Sequence, residues 1–446
     1  MKLYNRILNI IRPYTPAFII SIYHLCHNIY IKKIKIIFEL KEINKYQRNY
    51  KKIIEKLKKK EKIKIAFFLI HDSVWKYDLL FNLFKKNSRY EPFVVICPYI
   101  VYGEERMIED LKKSEDFVIS KKYPYYLTYD FETKEWLDVN KELSPDIIFY
   151  TNPWNLTKNE YYIKNFRNIL NCYVPYFYQV TKHLEQNFGG KLQNLCWKVF
   201  YESDMHLNFA KKYSKNKAKN VVISGYPGLD ELLFNSKNII DPWKIKEKEI
   251  KRIIWAPHHT ISGQDAGLGF SNFERYAVFF KKLAEDTDNK IQIAFKPHPI
   301  LKSKLYKDNK WGKEKTDNYY QFWEKCNNGL LSEGDYLDLF KSSDAMIHDS
   351  GSFTVEYLST GKPIIYLLNS EQSLDSLNEV GRMAVNNHYL AKNEKEIYKY
   401  IIEVVMNGND YMREERIQYI NSFLFPPNGI TASENIYNYI INKITI

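Results

Sequence analysis

The sequence predicts an α/β protein with two doubly wound Rossmann-like domains that face each other across a cleft. Short, almost continuous apolar runs alternate with helical segments twice along the chain, a pattern typical of parallel sheets covered by helices on both faces. The polar segment 236–250 separates the two series and is expected to form a hinge. With 446 residues, the chain is long enough for two such domains.

The first series predicts an N-terminal domain over residues 61–238. Its expected strands are Lys62–Ile70, Pro92–Cys97, Asp146–Tyr150, Asn171–Phe177 and Val221–Ile223. Helices are predicted between them, at Tyr77–Phe84, Tyr161–Ile169 and Leu192–Tyr201. Because the strands are nearly continuous apolar runs, we expect a parallel sheet that is buried on both faces.

The second series predicts a C-terminal domain over residues 239–446. Its expected strands are Arg252–Trp255, Ile291–Phe295, Gly329–Leu331, Ala345–Ile347 and Ile364–Leu368. The intervening helices are predicted at Phe273–Ala284, Tyr319–Cys326, Tyr336–Lys341 and Phe353–Leu358. A helical tail follows, with segments at Glu394–Val405, Tyr411–Phe423 and Ser433–Ile441.

Nearly all of the net charge of +13 belongs to an N-terminal arm, residues 1–60. The arm has 15 Lys and Arg against three acids, whereas the other 386 residues have 51 Lys and Arg against 50 acids. Such asymmetry is typical of a segment that contacts an anionic polymer or an anionic membrane. The neutral body has no nucleic-acid motif, so no nucleic-acid partner is expected.

The arm combines its basic residues with apolar ones, which favours attachment to a membrane surface. Its longest uncharged stretch, Pro13–Ile31, includes two prolines and several polar residues and is a poor bilayer-spanning helix. We therefore expect a peripheral arm on an anionic membrane surface, held by an interfacial segment and the polybasic stretch Lys32–Lys60. The alternative is a basic helix that packs on the body. Five scattered cysteines indicate a reducing compartment without disulfides.

Chemistry-bearing residues follow the expected strands of the second domain. Two loops contain histidines, Trp255–Thr260 and Phe295–Pro299, and His298 lies between two prolines. Because parallel strands end at one edge of a sheet, these loops should meet, and histidine can donate to phosphate or move a proton near neutral pH. In the first domain, His71 directly follows the first strand and is expected to face the cleft.

A third motif, His348–Ser352, is a small-residue turn between a strand and a helix. Its backbone N–H groups and the helix N-terminus would favour a phosphate, and Glu356 lies where a carboxylate can reach ribose hydroxyls. The alternative is a helix cap, because Ser and Asp are common at that position. Its position beside His258 and His298 favours the phosphate site.

These motifs, in this order, resemble those of the CDP-glycerol glycerophosphotransferase family of teichoic-acid and capsule synthesis. The resemblance spans about residues 205–425 and rests on Ala256-Pro257, Lys296-Pro297-His298-Pro299, the pattern Ser-Asp-x-x-x-x-Asp-Ser at 343–350, and Gly361–Tyr366. It implies membrane-associated enzymes with the GT-B architecture, expected on the cytoplasmic face of the bacterial cell membrane. The turn with Glu356 also resembles the nucleotide site of UDP-N-acetylglucosamine epimerases. This chain has Ser350-Gly351-Ser352 where the family commonly has an aromatic residue and two serines.

The resemblance implies transfer of a polyol phosphate, with glycerol phosphate expected, from a CDP-linked donor to a hydroxyl of a surface glycan or glycolipid. The implied catalytic residues are His258 and His298, and His71 is added as the rival base. The implied donor-binding residues are Lys296, His348, Asp349, Ser350, Gly351, Ser352 and Glu356. The alternatives are a GT-B glycosyltransferase that uses a UDP- or CMP-sugar, a nucleotide-sugar epimerase, and a membrane-bound scaffold. Since no metal-binding motif is evident, neither a metal nor a cofactor is expected.

Overall fold

A computed structural model describes residues 17–445, except 102, 235–238, 262–270, 287, 289, 371 and 372. Side chains are described from residue 34 onward, except that of residue 373. The first 16 residues of the predicted arm, the loop Ser262–Gly269 and part of the predicted hinge therefore lie outside the described residues. The rest of the chain forms two α/β domains, each built around a parallel sheet.

The first domain contains a seven-stranded sheet in the order β3-β2-β1-β4-β5-β6-β7, and all of its strand pairs are parallel. The first strand pairs in register with two neighbours, Ile65 with Pro92 on one side and with Ile147 on the other. Its residues are apolar on both faces because helices cover both sides of the sheet. The strands are β1 (Ile63–Leu69), β2 (Tyr90–Ile96), β3 (Tyr125–Leu127), β4 (Ile147–Tyr150), β5 (Leu170–Tyr173), β6 (Lys198–Tyr201) and β7 (Val221–Ile223).

Helices precede and connect these strands. Phe81 and Phe84, both fully buried, form part of the apolar side of α2, which packs on the sheet. The helices are α1 (Ala17–Lys58), α2 (Asp78–Lys86), α3 (Glu104–Ser120), α4 (Leu184–Gly189), α5 (Lys191–Leu195), α6 (Asp204–Tyr213) and α7 (Asp230–Leu233).

The second domain contains a six-stranded parallel sheet in the order β10-β9-β8-β11-β12-β13. Strand β8 is central, so the loops that follow β8, β9 and β11 emerge side by side at its carboxyl edge. The strands are β8 (Lys251–Ala256), β9 (Ile291–Phe295), β10 (Gly329–Leu331), β11 (Ala345–His348), β12 (Ile364–Leu367) and β13 (Tyr389–Ala391). Trp255 stacks on Phe280 at 4.3 Å between ring centroids and anchors one face of this sheet.

The helices of the second domain include a tail that returns to the first domain. They are α8 (Phe273–Glu285), α9 (Leu301–Lys307), α10 (Gly312–Lys325), α11 (Leu337–Ser342), α12 (Phe353–Glu356), α13 (Glu379–Val385), α14 (Glu394–Tyr400), α15 (Arg413–Tyr419) and α16 (Ala432–Ile444). Segments Ile401–Met406 and Ile420–Leu424 extend α14 and α15 as π-helix. The last helix reaches the first domain, where Asp230 accepts hydrogen bonds from Ala432 N at 2.7 Å and Ser433 N at 3.0 Å.

Two predicted helices of the first domain are wrong. Leu192–Tyr201 divides into α5 and strand β6, because Lys198–Tyr201 pairs with β5 and β7 and its last three residues are buried. Tyr161–Ile169 forms only short 3₁₀ turns before β5. In both cases tertiary burial, which periodicity does not register, decided the conformation.

The C-terminal half of α1 packs on the first domain instead of standing apart from it. Tyr46 and Tyr50 are buried, and their hydroxyls donate to Ile163 O at 3.3 Å and Leu195 O at 2.8 Å. At the end of the arm, Lys60 Nζ lies 2.6 Å from Asp146 Oδ2. This part of the arm therefore follows the alternative of a basic helix that packs on the body.

Upstream of these contacts, α1 presents apolar side chains to solvent. Ile36, Ile37 and Phe38 are 45%, 52% and 66% exposed. Across the described part of the chain, every helix is too short or too polar to cross a bilayer.

Candidate active site

A cavity of about 790 Å³ lies between the two domains at the carboxyl edges of their sheets. The first domain lines it with residues that follow β1, including His71 and Lys76, and with residues of α3. The second domain contributes the loops after β8, β9 and β11, including His259, His298 and Ser350. Ligands of doubly wound sheets bind at this edge, so the cavity is the candidate active site.

Asp349 ties together the loops on the second-domain side of the cavity. It is fully buried, and its Oδ1 accepts a 2.6 Å hydrogen bond from His258 N. Its Oδ2 accepts from Asn272 N at 2.5 Å and Asn272 Nδ2 at 3.2 Å. Burial raises the pKa of this carboxyl to about 7, although these hydrogen bonds act in the opposite direction. Asp349 thus fixes the backbone of His258 from beneath the turn.

Three imidazoles gather at the ends of β8 and β9. The ring centroids are 4.2 Å apart for His258 and His259, 4.3 Å for His259 and His298, and 5.3 Å for His258 and His298. Burial, together with the neighbouring imidazoles and lysines, lowers the pKa of His258 and His298 well below the ordinary value. Both rings are therefore neutral at pH 7. His259 and His298 line the cavity, and His258 lies against both.

One potential ligand atom from each of the three imidazoles lies within 4.8 Å of the other two, close enough for a metal ion to be considered. Their hydrogen bonds favour an anion instead. His298 Nδ1 accepts from Ile300 N at 3.3 Å, and His259 Nδ1 lies 2.9 Å from Lys304 Nζ, which can only donate. A neutral imidazole that accepts at Nδ1 carries its proton on Nε2 and is there a donor, not a metal ligand.

Lys296 and the turn after β11 complete the second-domain wall. Lys296 is almost entirely buried and donates to Gly334 O at 2.8 Å. Burial lowers the pKa of its ammonium to about 8, so most of it is charged at pH 7. Ser350 and Ser352 line the cavity, and the Ser352 side chain makes no capping hydrogen bond to α12. A helix cap therefore does not account for this serine.

Glu356 lies at the same wall, and both of its oxygens have partners. Tyr336 donates a hydrogen bond to Oε2, and Tyr226, from the first domain, donates to Oε1 at 3.2 Å. The carboxylate is 1% exposed, and burial raises its pKa. A carboxylate has about four acceptor positions, so Glu356 retains capacity for hydroxyl groups of a ligand.

His71 faces this wall from the first domain with a different charge. Its Nδ1 lies 2.7 Å from Asp72 Oδ1, and its Nε2 lies 3.6 Å from Asp110 Oδ1. Burial alone would lower the pKa of His71, but the hydrogen bonds and negative charges of Asp110 and Asp72 raise it to about 9. With this pKa it is an imidazolium at pH 7, so Nδ1 donates to Asp72 instead of accepting from Ser73 N, which lies 3.2 Å away. Arg106 Nη2 lies 2.9 Å from Asp110 Oδ1, the same oxygen that lies near His71.

Some predicted site residues lie behind the cavity surface rather than on it. His348 is fully buried, and its Nδ1 accepts from Ser350 N at 3.2 Å, so it supports the turn from below. Gly351 is also buried, and a Cβ there would approach Thr181 Cγ2 at 3.9 Å. Among the described residues, the cavity lining includes Lys296, His298, Ser350, Ser352, Glu356 and His71 from the predicted set.

Other lining residues were not predicted from the sequence. Lys304 lies on α9, the helix that follows the His298 loop. Its place one turn into that helix is the sequence signal that could have predicted it as a cavity residue. Asp110 and Arg106 form an i,i+4 ion pair on α3. The sequence does not distinguish this pair from an ordinary surface ion pair, because its proximity to His71 depends on the fold. Tyr336 and Lys76 gave no signal, because their pairing depends on the approach of two domains.

Comparison with known structures places the fold. A variant of the wall teichoic acid polymerase TagF is similar with TM-score 0.55 and 13% identity, covering 94% of this chain and 98% of that one. The UDP co-structure of MnaA from S. aureus matches with TM-score 0.52, 14% identity and coverages of 85% and 96%. A putative UDP-N-acetylglucosamine 2-epimerase from Listeria monocytogenes matches with TM-score 0.53, 14% identity and coverages of 86% and 98%. No curated protein matches the chain significantly in sequence.

At these identities the structural matches show the fold, and they agree with two facing parallel-sheet domains, so the predicted fold class is confirmed. The family is shown by sequence. The profile described as CDP-Glycerol:Poly(glycerophosphate) glycerophosphotransferase matches residues 184–442, more than half of the chain. The predicted resemblance and the predicted transferase class are thereby confirmed: the chain belongs to the CDP-glycerol:poly(glycerophosphate) glycerophosphotransferase family.

Proposed function

We propose that the protein transfers glycerol phosphate from CDP-glycerol to a hydroxyl of a surface glycan or glycolipid, and that the reaction takes place in this cavity. The observation that carries the proposal is the wall formed by the His298 imidazole, the Lys296 ammonium and the turn Ser350–Ser352, in which Ser350 N is hydrogen-bonded to His348 Nδ1. Its donors suit a diphosphate, and family membership supports the CDP-linked donor. Similarity to the wall teichoic acid polymerase TagF, one structure of which was soaked with CDPG, supports a role in wall polymer synthesis.

In the proposed reaction, the acceptor hydroxyl oxygen attacks the phosphorus that carries glycerol. The bond from that phosphorus to the bridging oxygen of CMP breaks, so the products are CMP and a new phosphodiester. Negative charge develops on the departing phosphate of CMP. His298 Nε2–H, the Lys296 ammonium and the turn amides would stabilise that charge in a partly dehydrated site.

The acceptor proton needs a neutral base, and the charges of the two rings support His258 over His71, although His258 lies behind His259 and His298 and does not itself line the cavity. The pKa of His258 is held well below its ordinary value, so one of its ring nitrogens is unprotonated at pH 7. The pKa of His71 is about 9, which leaves it protonated and unsuited to accept a proton. We assign His71 to a positively charged contact on the acceptor side.

We further propose that residues 61–238 bind the acceptor and residues 239–446 bind the nucleotide. His348 and Asp349 would then position the turn and His258, while Ser350, Gly351, Ser352 and Glu356 would hold the donor. Residues 1–60 would bring the enzyme to an anionic membrane on the cytoplasmic face, where a glycolipid acceptor would be anchored. The apolar residues exposed on α1 at 36–38 support this attachment.

The proposal predicts donor selectivity and a specific loss of turnover. Because a ligand stabilises the state that binds it, CDP-glycerol should raise the melting temperature more than CDP-ribitol, UDP-sugars or CMP.

His298→Ala should lower turnover about 100-fold or more, as expected for loss of a charge-stabilising donor. Donor selectivity is measured by thermal shift, and turnover is measured by the release of CMP.

The matched control is His183→Ala, which removes an exposed histidine. This variant should keep the parent turnover, and both variants should keep the parent melting temperature without ligand. Stabilisation by UDP-sugars alone, or near-normal turnover of His298→Ala, would contradict the proposed function.

A further inference from the structure

A chain of four polar side chains crosses the cleft twice at the wall that holds Glu356. Lys76, just after β1, donates to Tyr336 OH at 2.9 Å, and Tyr336 donates to Glu356 Oε2. Tyr226, at the end of the first domain, donates to Glu356 Oε1 at 3.2 Å. Lys76 and Tyr226 belong to the first domain, whereas Tyr336 and Glu356 belong to the second.

The hydrogen bonds from Lys76 to Glu356 have a fixed direction because a lysine ammonium can only donate. Tyr336 OH accepts from Lys76 and must therefore use its own proton toward Glu356. The Lys76 ammonium lies 4.7 Å from the Tyr336 ring centroid, an additional favourable contact. Tyr336 thus holds the first-domain ammonium at the edge of the second-domain wall.

Two ammonium groups flank the same phenol ring. Lys296 Nζ lies 6.0 Å from the Tyr336 centroid, and both lysines line the cavity. Their like charges oppose each other, and an anion placed between them would relieve this repulsion. Glu356 contacts two tyrosines, and the carboxylates of Asp335, Glu333 and Asp72 also act on Lys296, so the protein itself compensates part of this charge.

We propose that Lys76 is a donor-binding residue which the first domain supplies to the nucleotide site of the second. Its ammonium, held by Tyr336, contacts the diphosphate of the donor together with Lys296. The donor is then bound by both domains, and its affinity depends on their approach. This inference rests on the proposed function for the identity of the donor.

The test compares dissociation constants for CDP-glycerol, measured by calorimetry on the full-length protein. Lys76→Met should weaken binding about tenfold or more, since it removes a charge-assisted contact. Lys76→Arg should recover most of the affinity because it keeps the charge. In steady state, the KM for the donor should rise for Lys76→Met while the KM for the acceptor stays unchanged.

Lys121→Met is the matched control. Lys121 also reaches across the cleft, 4.0 Å from Asp335, but it is not among the described residues that line the cavity. This variant should bind the donor within about twofold of the parent. Equal weakening by both variants, or parent affinity in Lys76→Met, would overturn the assignment of Lys76.

Failure of the proposed function would give a different result. If the parent protein binds a UDP-sugar and not CDP-glycerol, the donor identity is wrong. The same four proteins compared with that UDP-sugar then decide the role of Lys76 by the same criteria. Tyr336→Phe supplies a second variant, for which a smaller loss of affinity that is not additive with Lys76→Met is expected.

Discussion

His71 and His298 lie on opposite walls of one cavity and carry different charges at neutral pH. His71 contacts two carboxylates, Asp72 and Asp110, which raise its pKa to about 9 against the effect of burial. His298 is surrounded by imidazoles and lysines, and burial with these charges lowers its pKa. The same residue type is therefore suited to bind negative charge on one wall and to donate from a neutral ring on the other.

The raised pKa of His71 predicts a stability that declines with pH. A histidine has a pKa near 6.5 when unfolded, so its contribution is fully present below about pH 6.5 and is lost as pH rises through about 9. By linkage, the shift corresponds to at most about 3 kcal/mol. The parent protein should therefore exceed His71→Gln in unfolding midpoint at pH 6.5, and the difference should shrink by pH 9.5.

The measurement is chemical unfolding at several pH values between 6 and 10. The same exchange at exposed His183 is the matched control for loss of an imidazole. Parallel curves for the parent and His71→Gln across this range would show that the two carboxylates do not hold a proton on His71.

At the scale of elements, the return of the tail to the first domain depends on a glycine. Gly225 follows β7 with φ +85°, and a Cβ there would lie 2.6 Å from Pro426 Cβ, just before α16. Asn435 on α16 donates to Ser224 O at 3.2 Å, and Asp230 caps the same helix. The segment after β7 and the segment before α16 therefore approach each other so closely at Gly225 that a side chain there would collide with Pro426.

Gly225→Ala is expected to destabilise the protein more than the matched variant Gly408→Ala. Both glycines have positive φ, at +85° and +74°, so each exchange costs about 1–2 kcal/mol in backbone strain. At Gly408 nothing lies within 4 Å of the added Cβ, whereas at Gly225 the proline must move, which adds about 1–3 kcal/mol. Thermal and urea midpoints give the comparison. Equal midpoints would show that the contact with Pro426 is not tight.

Some elements could be predicted from the sequence and others could not. Strands β1, β8 and β9 are mostly apolar runs between polar segments, so their burial could be predicted from composition. Strand β6 was mistaken for helix, because a short apolar run is compatible with either structure until its neighbours are known. The loops with His258 and His298 were predicted to meet, since strand order in a parallel sheet brings their ends together.

At the scale of the whole molecule, helix α1 has a C-terminal part that packs on the first domain and an upstream part whose apolar side chains are exposed to solvent. Residues from Ile43 onward pack on the first domain, so deletion of the entire arm would expose core. Ile36, Ile37 and Phe38 are exposed and can be changed without that consequence. They offer a specific test of membrane attachment.

Replacing Ile36, Ile37 and Phe38 together by Gln should reduce sedimentation with phosphatidylglycerol vesicles about tenfold or more, because three apolar side chains no longer insert. The fold should be retained, as judged by the melting temperature. Ile240→Gln removes an apolar residue that is 78% exposed on the body and serves as control. Unchanged sedimentation of the triple variant would contradict attachment through this surface.

The sequence by itself determined the two-domain α/β architecture, the order of the three motifs and the family. These depend on apolar periodicity and on residues close together in the chain, which are visible without coordinates. Only the tertiary structure decided the charge of His71, the donor orientation of His298 and the pairing of Lys76 with Tyr336. Those properties arise from burial and from partners distant in sequence, because a pKa or a hydrogen bond is set by which groups the fold brings within a few ångströms.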